Sequence, residues 1–197
     1  MTATDIKTSD QSVPDELLLH ARGLIASGYY TEADVLEMLY DWVTGDDQEE
    51  VLRTRIPAVL KEAIAAQLKE QGGYPAFTDY DRLQQAFGQL AAEGFLVREN
   101  FTCCQTCGWA EADDELANAV EQGRPFKGVV FFHQQDTESA VEGGSLYLAY
   151  GGEHGSEVAG QQVVKALETA GLTVNWNGSA KTRICVTLAW QRRFTPS

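Results

Sequence analysis

Three of the chain's four cysteines fall within five positions of the segment FTCCQTCGW, at Cys103, Cys104 and Cys107, with Gly108 next in line. Two residues separate Cys104 from Cys107. At that spacing two thiolates can grip one ion, and a following glycine permits a tight backbone turn. The pattern points to a zinc-type knuckle. A structural zinc takes four ligands, however, and no second pair with this spacing is present. Cys103 is an awkward third ligand if the backbone is extended, because neighbouring residues of a strand point to opposite faces. His133, at the end of GVVFFH, is the favoured long-range ligand; Cys185, His154 and Asp136 are further candidates. The expected metal set is therefore Cys104, Cys107, His133 and Cys103, with zinc as the ion and no other cofactor. The competing reading is plain packing, since free cysteine is commonly buried as a small apolar residue.

The same residues suit dithiol chemistry. A helix expected over 109–122 would place a thiol near its N-terminus, where the positive end of the helix dipole lowers a thiol pKa. A thiol-dependent redox protein or enzyme using Cys104 and Cys107, with His133, is thus the alternative. Glu111, Asp113, Asp114 and Glu115 would oppose a thiolate if they lay close. A second polar cluster is HQQDTE, in which His133 and Asp136 could form a general base or a ligand backed by a carboxylate. A strand-end histidine bonded to a loop is the simpler account. Asp136 or Thr137 is the expected cap of a short helix reaching Val141.

These residues need elements to position them. Ser12 with Asp15, Thr31 with Asp34 and Thr78 with Asp81 each have capping-box spacing. Apolar residues at helical spacing follow: Val35, Leu36, Leu39, Trp42 and Val43, then Leu52, Ile56, Val59, Leu60, Ala63, Ile64 and Leu68, then Leu83, Ala86, Phe87 and Leu90. Pro57 should kink the middle segment or begin its second half. After Gly94 the pattern changes. FLVRENF, GVVFFH, SLYLAYG, LTVNW and TRICVTLAW read as strands, in the order strand, helix, two strands, helix, two strands. In the last strand Ile184, Val186, Leu188 and Trp190 share one face, while Arg183, Cys185 and Thr187 share the other. Trp176, Trp190, Tyr147 and Tyr150 are read as sheet-face packing. The expected fold is α+β: a helical N-terminal layer, then a mostly antiparallel sheet of about five strands with packed helices. The expected organisation is a flexible tail over 1–12, a helical region over 13–76 and an α+β domain over 77–197. The unit from FLVRENF through the helix to GVVFFH should make its two strands parallel, bringing the cysteines and His133 to one sheet edge.

The formal net charge is −14. Residues 1–94 carry 17 Asp and Glu against 7 Lys and Arg. Nucleic-acid binders neutralise phosphate with basic surface, so this balance argues against that role. Acidity also disfavours anionic membranes, and no run of apolar residues is long enough to span a bilayer. The opening MTATDIKTSDQS lacks the basic and apolar regions of a secretory signal, so a cytoplasmic location with reduced thiols is expected.

From Thr78 onward the chain resembles an uncharacterised family of bacterial cytosolic proteins, a domain of unknown function. The resemblance rests on TDYDRLQQAFGQL, ENFTCCQTCG, FFHQQDTESAVEGG, LYLAYG, GLTVNWNGS and RICVTLAWQRR. It implies a shared fold and a bacterial origin, and no activity. The residues themselves point to a binding or regulatory protein with a zinc-type cysteine corner. Its partner would be a protein or a small molecule, not nucleic acid or membrane.

Overall fold

Reciprocal caps start the second and fourth helices where the spacing predicts them. In the computed structural model, which describes residues 9–152 and 155–196, Thr31 Oγ1 accepts from the Asp34 amide at 3.2 Å. Asp34 Oδ2 accepts from the Thr31 amide at 2.8 Å in return. The chain divides into two compact units, one of residues 1–74 with 192–197 and one of residues 75–191. The first eight residues of the tail expected over 1–12 lie outside the described residues, as does His154.

The first unit holds α1 (Ser9–Ser27), α2 (Glu32–Trp42) and α3 (Glu49–Gln71). Ser12 lies inside α1 rather than capping it. Leu17, Ile25, Val35, Leu39, Leu52 and Ile56 form its core and are buried. α3 continues through Pro57 as one helix, so the expected boundary there does not form. Gln67, rather than the expected Leu68, is buried, and its amide donates to the Tyr74 hydroxyl at 3.3 Å. Residues after the last strand return to this unit. Phe194 is buried in the helical core. Gln71 accepts from the Phe194 amide and donates to its carbonyl, each at 3.0 Å.

The second unit begins with α4 (Asp79–Ala92), capped by Thr78 and Asp81. Then follow β1 (Phe95–Arg98), α5 (Gln105–Glu121), β2 (Gly128–Phe131), α6 (Gln134–Val141), β3 (Leu146–Gly152), α7 (Ser156–Thr169), β4 (Thr173–Asn175) and β5 (Ile184–Thr187). The sheet order is β1-β2-β3-β5-β4. β1 and β2 are parallel, because α5 carries the chain back across the sheet between them. The remaining pairs are antiparallel. The protein is therefore α+β, with its leading helices followed by a mostly antiparallel five-stranded sheet.

Alternation along the strands assigns two faces. Leu96, Val129, Phe131 and Ala149 form one buried cluster with Ala112 of α5. On the other face Phe132 meets Phe87 and Trp190, and Trp190 meets Tyr80. Tyr150 sits against Trp176, whose indole donates to the Tyr150 hydroxyl at 2.9 Å. Packing thus explains Trp176, Trp190 and Tyr150, while Tyr147 remains 43% exposed. No described helix is long and apolar enough to cross a membrane.

Candidate functional site

The cysteine corner begins where β1 stops. Asn100 and Thr102 both adopt positive φ, at 48° and 57°. Such a value is uncommon outside glycine and an outlier for a β-branched residue. These two turns end the extended conformation that FLVRENF suggests. Thr102 Oγ1 donates to the Cys104 carbonyl at 3.2 Å and pins the bend. Cys103 and Cys104 therefore do not diverge as strand neighbours would. The sulfurs of Cys103, Cys104 and Cys107 all lie within 4.8 Å of one another, and those of Cys103 and Cys107 are 3.6 Å apart. The expectation that Cys103 is an awkward partner is corrected on this ground.

A second correction concerns the helix. α5 starts at Gln105, not near Trp109, so Cys104 is its N-cap and Cys107 lies in its first turn. Gly108 consequently belongs to the helix and serves no tight turn. Its role is close approach: a Cβ there would meet Phe131 Cε2 at 2.5 Å. The missing side chain lets α5 lie directly on β2, where Trp109 packs edge-on against Phe131 at 5.1 Å.

The corner opens to solvent. Cys103 and Cys107 are exposed and Cys104 is half-buried. The Cys104 thiol is held below its ordinary pKa, first by the backbone amide of Cys107 and then by the Cys107 and Cys103 thiols. That amide contact falls short of a closed N-cap hydrogen bond, so no side chain caps α5. The Cys107 thiol is pushed the other way, up to about 11, first by hydrogen bonding with the Cys103 and Cys104 thiols and then by the repulsion of their charge. Among the acids feared as neighbours, Glu115 is engaged elsewhere, accepting from Arg98 Nε at 2.9 Å.

His133 caps α6 itself, which corrects the expected caps Asp136 and Thr137. Its Nδ1 accepts from the Asp136 amide at 3.3 Å, and Asp136 Oδ2 accepts from the His133 amide at 3.1 Å. His133 Nε2 also lies 3.1 Å from Asp136 Oδ2. Both residues are 5% exposed. Burial is the main influence on the imidazole and holds it below its ordinary pKa; Asp136 opposes this and Arg183 adds to it. Arg183, just before β5, grips Asp136 with two bonds, at 3.0 Å to Oδ1 and 2.5 Å to Oδ2. It also donates to the Tyr147 carbonyl, and its buried Nε has no partner among the described residues. Sequence reasoning gave Arg183 only a place on a strand face; its partner is 47 residues away in the chain.

The two polar clusters do share an edge of the sheet. The Phe101 amide donates to the Phe132 carbonyl at 2.9 Å, and the Gln134 amide donates to the Thr102 carbonyl at 3.1 Å. The imidazole nevertheless turns to Asp136. Among the described residues the three sulfurs form the metal-capable group, and neither His133, Asp136 nor Cys185 is in it. Cys185 lies on β5 opposite Tyr147, whose phenol it pushes up in pKa.

A separate cleft of about 310 Å³ is lined by Trp109, Asp113, Leu116, Phe126, Gly151 and Gly152, among others. Its α5 residues run from Trp109 to Val120.

Fold and site together define an α+β protein whose exposed thiols gather on a helix N-terminus at the carboxyl ends of two parallel strands. The chain belongs to the family described as Domain of unknown function (DUF6891), whose model matches residues 10–194. No match is found among curated proteins or among solved structures.

Proposed function

We propose that this is a binding or regulatory protein whose cysteine corner holds a soft metal ion of the zinc type. The observation that carries this reading is the approach of three sulfurs to within 4.8 Å at an exposed helix start. Thiolates sharing one ion at bonds of about 2.3 Å stand roughly 3.5–4 Å apart, and Cys103 and Cys107 are already at 3.6 Å. Thiolate ligands select soft ions over hard ones. His133 contributes by holding the neighbouring strand end in place, not by coordination. The acid-rich surface directs the protein toward a protein or small-molecule partner and away from nucleic acid and membrane.

Elemental analysis of purified protein, combined with a native thiol count, tests the reading. One zinc per chain is expected, with one thiol reactive before chelation and four after it. Four equally reactive thiols, together with no uptake of zinc or cadmium, would overturn it.

A second reading rests on the opposed shifts of Cys104 and Cys107. A Cys104 thiolate attacks a substrate disulfide, forming a mixed disulfide and releasing one substrate thiolate. Cys107 then displaces the second substrate thiolate and closes a Cys104–Cys107 disulfide. Reduction of one equivalent of a small disulfide such as oxidised glutathione by the reduced protein, lost in both Cys104→Ser and Cys107→Ser, would favour this reading over the metal site.

A further inference from the structure

Zinc bound by three thiolates completes its tetrahedron with a fourth protein ligand or with water. Among the described residues no His, Asp or Glu atom, and no further sulfur, joins the three at the corner. The two nearest candidates by topology are committed. His133 Nδ1 accepts from the Asp136 amide, and both Asp136 oxygens are held by Arg183. Removing either from its cluster would leave a buried polar group without its partner. The corner is thus complete with three donors on one side and solvent on the other.

We propose that the corner is a three-thiolate site for a three-coordinate thiophile, the chemistry of trivalent arsenic. This rests on the reading of the corner as a soft-ion site and names the ion class that its donor count fits. In trivalent arsenic a lone pair occupies the position where zinc needs a fourth ligand. The ion therefore sits as a cap on three sulfurs, with the lone pair facing solvent. Cys103 and Cys107, the exposed members, give direct entry, and Cys104 closes the triangle from its half-buried position. The exchange balances without any redox partner. Three S–H bonds and three As–OH bonds break, three As–S bonds form, and each released proton leaves with a hydroxide as water. Arsenic stays trivalent throughout.

The test uses the full chain, reduced and metal-free, titrated with arsenite and separately with zinc. Binding is read by equilibrium dialysis with elemental analysis and by the near-ultraviolet sulfur-to-arsenic absorption. One arsenic per chain is expected, with three of the four thiols protected and Cys185 left reactive. Each of Cys103→Ser, Cys104→Ser and Cys107→Ser should weaken arsenite binding by about 100-fold or more, because each removes one arm of a chelate. Cys185→Ser should leave binding unchanged, and it serves as the folding control alongside circular dichroism of every variant. Zinc uptake without arsenite uptake would overturn this inference and leave the soft-metal reading standing. Uptake of neither would overturn both. Arsenite binding that survives any one of the three corner substitutions undiminished would show a two-thiol site and overturn the three-thiolate assignment.

Discussion

α5 and α6 leave neighbouring parallel strands at the same edge of the sheet, yet their first turns are built in opposite ways. α6 begins with His133 and Asp136 capping one another, with Arg183 clamped across the carboxylate and the cap residues almost wholly buried. α5 begins with Cys104, whose side chain makes no cap bond, beside two exposed thiols. A helix start leaves several amides without partners. At α6 the cap answers part of that need, and the cluster has no polar group left over for a ligand except the Arg183 Nε. At α5 the need is unmet by any side chain, and the positive end of the helix instead acts on a sulfur. The difference separates structure from chemistry: the first turn that is fully bonded fixes the sheet edge, and the first turn that is under-bonded presents reactive groups on it.

The largest effect expected from breaking this contrast is at α6. Asp136→Ala removes the carboxylate that serves both His133 and Arg183, leaving a guanidinium whose side chain is 24% exposed. Breaking a buried pair in this way costs about 3–5 kcal/mol, and partial exposure of Arg183 places this case at the low end. Urea unfolding measures it; a loss well under 1 kcal/mol would mean that the clamp is not structural.

Next comes the packing of α5 on β2. Gly108→Ala adds a methyl where Phe131 stands at 2.5 Å. Overpacking costs about 1–3 kcal/mol, against a gain of up to about 1 kcal/mol from better helix propensity. A net loss of stability is expected, accompanied by weaker soft-ion binding as the corner shifts. A more stable Gly108→Ala protein would show that Phe131 yields freely.

A smaller effect is the pH dependence of the cap. His133 is held below its unfolded pKa of about 6.5. The unfolded chain therefore takes up a proton that the folded chain resists. The stability from neutral His133 is fully present above that value and is lost as pH falls toward the folded pKa. His20 is shifted the same way by burial, so the comparison must isolate one site. His133→Asn keeps a good capping residue, and its stability should fall less than wild type between neutral and mildly acidic pH. Parallel pH curves for the two proteins would remove His133 from the account.

The smallest structural effect is at α5 itself. Cys104→Ala should leave the melting temperature of the metal-free protein unchanged, since the native side chain makes no cap bond. The chemical effect is the opposite in size. In the metal-free protein, iodoacetamide should label Cys104 ahead of Cys107 at neutral pH, given the lowered thiol of the first and the raised thiol of the second. Peptide mapping after brief labelling reads the order, and labelling of Cys107 first would reverse the assignment of the two thiols.

Local patterns in the sequence determined most of the elements. The Thr31 and Thr78 caps, the apolar spacing of α2 and α4, the alternation of Ile184 and Val186 against Cys185, and the parallel pair around α5 follow from interactions between residues near in sequence or from the hand of one crossover. The sequence also placed three thiols together and put His133 at a strand end. The tertiary structure decided how each of them is held. Positive φ at Asn100 and Thr102 bends Cys103 toward Cys107, and no local pattern announces that conformation for a threonine. Phe131 explains Gly108 from across the sheet. Arg183 reaches Asp136 over 47 residues, and Asp136 in turn pairs with His133. Such pairings depend on which strands become neighbours, and strand order is settled by packing on both faces of the sheet, which no single segment encodes.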